Sequence, residues 1–170
     1  AISITPNNGT GATQTFTLPV DGDRKPQPLL QSPFNETEAR FSPDGRFFAY
    51  SSDETGRYEV YVQTFPPSSR KWQVSSGGGR QPEWRRDGRE LYFLDPTQQL
   101  MAAAVQTSPS FSTGVPAALF QTNITVVEGR NHYVPAADGQ KFLLLRPAKR
   151  RESAPLTILL DRADPGTPGK

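Results

Sequence analysis

Few residues in this chain have the type and spacing that covalent chemistry needs. There is one histidine, His132, and no Gly-x-Ser-x-Gly elbow, so nothing marks a nucleophile for a Ser-His-Asp arrangement. The protein-kinase signatures are missing as well: no Gly-rich loop followed by a strand lysine, no His-Arg-Asp and no Asp-Phe-Gly. The absence of cysteine excludes a disulfide framework, thiol catalysis and thiolate metal sites. His132 therefore reads as a structural or surface residue, and the sequence assigns no catalytic residue.

Three other patterns resemble sites and have simpler explanations. Asp44, Asp87 and Asp138 could supply oxygen ligands, but they fall at equivalent turns far apart in sequence, and no Asp-x-Asp-x-Asp-Gly calcium loop occurs. Asp21-Gly22-Asp23 is explained by a bare hairpin turn. Ser76-Gly77-Gly78-Gly79-Arg80 lacks the Lys-Ser/Thr of a phosphate loop and continues into Gln81-Pro82, which predicts a flexible crossover between units. The arginines around Trp84 (Arg80, Arg85, Arg86 and Arg89) alternate with Glu83, Asp87 and Glu90. That is an ion-paired strand end rather than the nucleic-acid patch that it, and Lys149-Arg150-Arg151 in miniature, resembles. The sequence thus assigns no metal, no cofactor and no nucleic acid.

The elements that position these residues announce themselves by repetition. Phe41-Ser42-Pro43-Asp44-Gly45-Arg46-Phe47-Phe48-Ala49-Tyr50 returns as Trp84-Arg85-Arg86-Asp87-Gly88-Arg89-Glu90-Leu91-Tyr92-Phe93, and again, weakly, around Asp138-Gly139. The Asp-Gly anchors lie 43 and 51 residues apart, a period typical of repeat arrays whose units bury their apolar faces only by stacking. Asp-Gly suits a tight turn because glycine accepts positive φ and the aspartate can bond its own turn backbone; Pro43 presets φ in the first copy. Tyr58–Gln63 alternates as a strand does, with Tyr58, Val60 and Val62 on one face and Glu59, Tyr61 and Gln63 on the other. With Lys71–Ser75 as a fourth strand, one period holds four short strands, the content of a propeller blade.

Phe-Ser-Pro-Asp-Gly-Arg followed by an apolar strand resembles the TolB-like β-propeller repeats, distant cousins of WD repeats. The run from Asp21 to Leu91 is similar, more narrowly, to the extracytoplasmic propeller at the C-terminal end of bacterial receptor-like serine/threonine protein kinases. The resemblance extends to about Leu160 and implies a sensory role upstream of a kinase, or docking to envelope proteins, outside the cytoplasm. The expected fold is all-β: a partial β-propeller of about three to four four-stranded antiparallel blades. The units cover about 1–31, 38–75, 80–121 and 132–160, with Leu156–Leu160 as a last strand and 161–170 as a disordered tail.

Composition agrees with a strand-dense domain. Glycine (14) and proline (17) are plentiful among 170 residues, the net charge is only +2, and no apolar run approaches the roughly 18–20 residues of a membrane span. Propellers close with about 4–8 blades, so this chain predicts a piece of a longer protein, self-association to complete a ring, or local protection of its two edge strands. The expected function is a non-catalytic interaction module for a protein, peptide or glycan, with Asn35, Glu36, Asp53, Arg57, Arg80 and Asp95 as exposed ligand contacts. Pro43, Asp44, Gly45, Asp87, Gly88, Asp138 and Gly139 are assigned to structural turns. The alternatives are a substrate-gating propeller attached to a prolyl-oligopeptidase-like hydrolase and, more distantly, a metal-dependent lactonase-type propeller.

Overall fold

In the computed structural model, the described residues are 2–4, 12–127 and 130–145. Leu156–Leu160, Lys149-Arg150-Arg151 and the tail 161–170 lie outside them. The elements run β1 (Ile2–Ile4), β2 (Gln14–Thr17), β3 (Gln27–Pro28), β4 (Glu36–Phe41), β5 (Phe47–Ser52), β6 (Glu59–Thr64) and β7 (Lys71–Gln73). They continue as β8 (Arg80–Trp84), β9 (Glu90–Leu94), β10 (Gln99–Gln106), β11 (Ser112–Thr113), β12 (Ala117–Gln121), β13 (Tyr133–Pro135) and β14 (Phe142–Leu144). Consecutive strands pair antiparallel in four sheets: β1-β2-β3, then β4-β5-β6-β7, then β8-β9-β10 with β11 and β12 both on the far edge of β10, and last β13-β14. The second and third sheets are thus four strands wide. The fold is an all-β partial propeller, each sheet a blade.

Alternation along the strands explains why the sheets stack. In β5, Phe47 and Ala49 enter one core with Val60 and Val62 of β6 and with Leu91, Phe93 and Val105 of the third sheet. Phe48 and Tyr50 point the other way, into a core shared with Leu29 and Leu30 beside the first sheet. In β9, Tyr92 and Leu94 turn away from Leu91 and Phe93 to meet Ile124 and Tyr133. Each central strand therefore buries both faces, and β5 and β6 carry almost no exposed residue. The alternation read in Tyr58–Gln63 holds for direction, but Glu59, Tyr61 and Gln63 are buried too, and the strand begins at Glu59 rather than Tyr58. Burying one such Leu, Phe or Val contributes roughly 1.5–3 kcal/mol, so the contacts between sheets dominate the stability of the array.

The Asp-Gly turns repeat almost atom for atom. Gly45 N donates to Ser42 O, Gly88 N to Arg85 O and Gly139 N to Ala136 O, each at 2.9 Å. The three glycines sit at φ of 70°, 73° and 70°, where a side chain is disfavoured. Asp44 accepts from Arg46 N at 3.1 Å, Asp87 from Arg89 N at 3.0 Å and Asp138 from Gln140 N at 2.9 Å. Pro43 precedes only the first of them. All these turns stand at one end of the stack; the loops β5–β6 and β9–β10 and the links from sheet to sheet gather at the other.

Candidate functional site

The residues six positions before each turn aspartate are Glu38, Gln81 and His132, and they join the innermost strands into one polar seam. Glu38 and Gln81 both adopt positive φ, 61° and 55°, at irregularities in β4 and β8 that turn their side chains toward the next sheet. Glu38 Oε2 accepts from Gln81 N at 2.8 Å and from Ser51 Oγ at 2.8 Å. Gln81 in turn receives His132 N on its Oε1 at 3.1 Å, and its Nε2 lies 2.7 Å from His132 Nδ1. Because Nε2 of a glutamine can only donate, Nδ1 is the acceptor in this contact. Two positions further on, Arg40 and Glu83 pair at 2.7 Å, and Asn131 Nδ2 donates to the same carboxylate at 2.6 Å. His132 is buried in this seam, held through its Nδ1 and its backbone N. The constant offset from Asp-Gly was the available signal for Glu38 and Gln81, and the sequence reasoning overlooked it.

At the loop end, the six expected contacts separate into two groups. Arg57, Arg80 and Asp95 converge on one cavity of about 350 Å³ between the second and third sheets. Its floor is apolar, formed by Leu94, Pro96, Ile124 and Val126. Arg80 stacks over the Tyr58 ring with its guanidinium carbon 4.0 Å from the centroid, and its side chain reaches Glu38 at 3.5 Å. Asp95 points into its own turn, accepting from Thr97 Oγ1 at 2.8 Å and from Gln99 N at 2.8 Å. Arg57 is the most open of the three, its side chain 64% exposed while its Nε meets Glu59 at 3.2 Å.

Glu59 explains why the glycine run is not the flexible crossover the sequence predicts. Its buried carboxylate accepts from Gly78 N at 2.9 Å and from Ser75 Oγ, and Gly79 N donates to Tyr58 O at 2.9 Å. Gly78 has φ +101°, and a Cβ there would lie 2.4 Å from Pro96; one on Gly79 would lie 2.7 Å from Ser75 Oγ. The glycines are needed because backbone and side chains approach closely, and Gly78 and Gly79 are buried.

The other three expected contacts lie at the seam between the first and second sheets. Asn35 donates through N (2.9 Å) and Nδ2 (2.6 Å) to Asp53, and its Oδ1 accepts from Thr13 N at 2.9 Å. Glu36 corrects the sequence reading: it is 5% exposed, with Ser32 Oγ donating to its Oε1 at 2.9 Å. Desolvation is the main cause that raises the pKa of this carboxyl above 4.5, the Ser32 hydrogen bond opposing it and the nearby Glu54 charge adding to it. Among the described residues no group of three or more His, Asp or Glu side chains is placed to hold a metal ion, and no helix is long and apolar enough to cross a membrane.

No family model matches the sequence, and none of the curated proteins matches it. Solved structures do. TolB from Acinetobacter baumannii superposes with a TM-score of 0.57 at 16% identity over 81% of this chain. Oligogalacturonate lyase from Vibrio parahaemolyticus gives 0.51 at 18% identity over 76%. The matched regions amount to 37% and 35% of those two chains, so this sequence spans little more than a third of either. At such identity the likeness establishes the fold, a TolB-like propeller architecture, and one neighbour being a lyase shows that the architecture also serves enzymes.

Proposed function

We propose that the chain is a non-catalytic β-propeller interaction module that binds a protein or peptide partner at its loop end. The observation that carries this reading is the cavity between the second and third sheets, where Arg57 and Asp95 from two loops and Arg80 from the start of β8 meet over an apolar floor. A preformed concave site with a few polar groups at its mouth is the usual form of a ligand site. His132, held in the structural seam, has no part in it. The reading is extracytoplasmic, and the similarity of residues 21–91 to kinase-attached propellers supports a sensory role upstream of a bacterial signalling kinase. Selecting random displayed peptides on the purified chain tests the binding reading. Enriched sequences should titrate saturably as synthetic peptides; a selection that yields no saturable binder overturns it.

A second copy of the chain is the other partner we propose. Leu143 is 77% exposed on the last sheet, whereas Tyr92 and Ala49, five residues after their own turn aspartates as Leu143 is, are 1% and 0% exposed and packed against the next sheet. The register of the array thus asks for a further sheet over Leu143, and a second copy supplies one of the same pattern. Sedimentation equilibrium should give twice 18.7 kDa, falling to one chain mass for Leu143→Lys. A wild-type monomer at all concentrations would remove this partner.

A further inference from the structure

The chemistry of the cavity narrows the ligand further, an inference that rests on the peptide-binding reading above. Its volume, about 350 Å³, is at the small end of the roughly 300–1,000 Å³ common for ligand pockets. That accommodates one large side chain with its flanking backbone. The walls are Leu94, Pro96, Ile124 and Val126, and the Tyr58 face is already covered by Arg80. A sugar would find no open aromatic platform, and most of the exposed lining is apolar, so the geometry favours an apolar side chain, and a flat aromatic ring makes the largest contact for its entropy cost.

Charge at the mouth is unevenly available. Both oxygens of Asp95 are held by Thr97 Oγ1, one of them also by Gln99 N, and Glu59 is 1% exposed with its oxygens taken by Gly78 N and Ser75. The Arg57 side chain, by contrast, is 64% exposed beside the opening, with its Nε 3.2 Å from Glu59. An incoming group therefore meets a largely exposed guanidinium, the donor fork that suits a carboxylate. We propose that this cavity takes an aromatic side chain with a carboxylate directly beside it, supplied by the C-terminus of a peptide or by a neighbouring acidic residue.

Amide chemical shifts of the full chain, followed during titration with three probes, test this. The probes are N-acetyl-tryptophan, N-acetyl-Trp-Asp-amide and N-acetyl-tryptophan amide. One or both carboxylate probes should shift Gly78, Gly79, Leu94 and Ile124 saturably, at least about tenfold more tightly than the neutral amide, roughly 1.4 kcal/mol. Preference for the first points to a chain terminus, and preference for the second to an internal acidic residue. Arg57→Gln should abolish that selectivity. Thr125→Glu, at an exposed rim position that leaves the buried contacts intact, should weaken the carboxylate probes and leave the amide unchanged. Equal binding of all three probes at these residues overturns the carboxylate assignment while the cavity survives as a site. No shift at these residues overturns the inference as a whole, and display-selected peptides that bind elsewhere would then show that the interaction reading stands without it.

Discussion

The seam between the first and second sheets and the seam between the second and third are built from the same parts and end differently. Both carry a serine, Ser32 in one and Ser75 in the other, 43 residues apart, and each serine hydroxyl donates to a buried carboxylate. Within the sheets that lead into them the backbone repeats as well: Leu29 N, just after β3, meets Thr15 O of β2 at 2.8 Å, and Val74 N, just after β7, meets Val60 O of β6 at 2.8 Å. In the first seam the carboxylate is Glu36, at the start of β4, with Asn35 beside it closing onto Asp53 and Thr13. In the second seam the positions 43 residues on are Gly78 and Gly79, and the carboxylate comes from the preceding sheet as Glu59. Moving one acidic group from one sheet to its neighbour leaves glycines at these two positions, and Pro96 and Ser75 pack directly onto them. Asn35, Asp53 and Thr13 seal the first seam, whereas the second carries the cavity beside its glycines.

That comparison can be broken experimentally. The largest effect is expected for Glu59→Ala, which leaves Gly78 N and Ser75 Oγ buried without their acceptor and should cost about 3–5 kcal/mol in urea unfolding. Gly78→Ala should follow at about 2 kcal/mol or more, because the new Cβ meets Pro96 and φ stays positive. A loss under half a kcal/mol at either position would mean that the second seam is not held as described. Asn35→Ala should cost roughly 1–2 kcal/mol through the lost bonds to Asp53 and Thr13.

The smallest effect is one of pH and distinguishes the sealed seam from the turn end. Burial raises the Glu36 pKa, so the folded state holds this proton more tightly than the unfolded chain does. Its stability contribution is therefore intact below the unfolded value of 4.5 and is lost as pH rises through the raised folded value. Glu36→Gln should raise the melting temperature at pH 7 and match wild type at pH 4. Asp44 has the opposite sign: desolvation works against its charge, but the Ser42 and Arg46 hydrogen bonds outweigh it and lower the pKa. Its contribution is present above the unfolded value of 3.8 and fades as pH falls through the lowered one, so Asp44→Asn should cost stability at pH 7 and less in acid. Melting curves from pH 3 to 8 for both variants would show whether the two slopes oppose each other.

The sequence displayed the frame of the molecule better than its sites. Asp-Gly turns are local chemistry, and their spacing disclosed the stacked sheets because each turn needs a glycine that nothing else replaces. The period-two strands were visible for the same reason, although alternation alone could not say that both faces of β5 and β6 would be covered; that depends on neighbours on either side. Glu36 looked like a loop acid because local sequence carries no sign of the Ser32 partner or of the sheet stacked over it. The glycine run looked loose because its tightness comes from Glu59 and Pro96, each about twenty residues distant. Arg57, Arg80 and Asp95 are distant in sequence, and only the stacking of two loops and the start of β8 at one seam makes them neighbours.

Backbone hydrogen exchange with and without a display-selected peptide tests the central claim, that the open seam is the binding site, most directly. New protection is expected at residues 78–80 and 94–98 and none at Asn35 or Asp53. Protection confined to the sealed seam, or to the Asp-Gly turns at the opposite end, would contradict it.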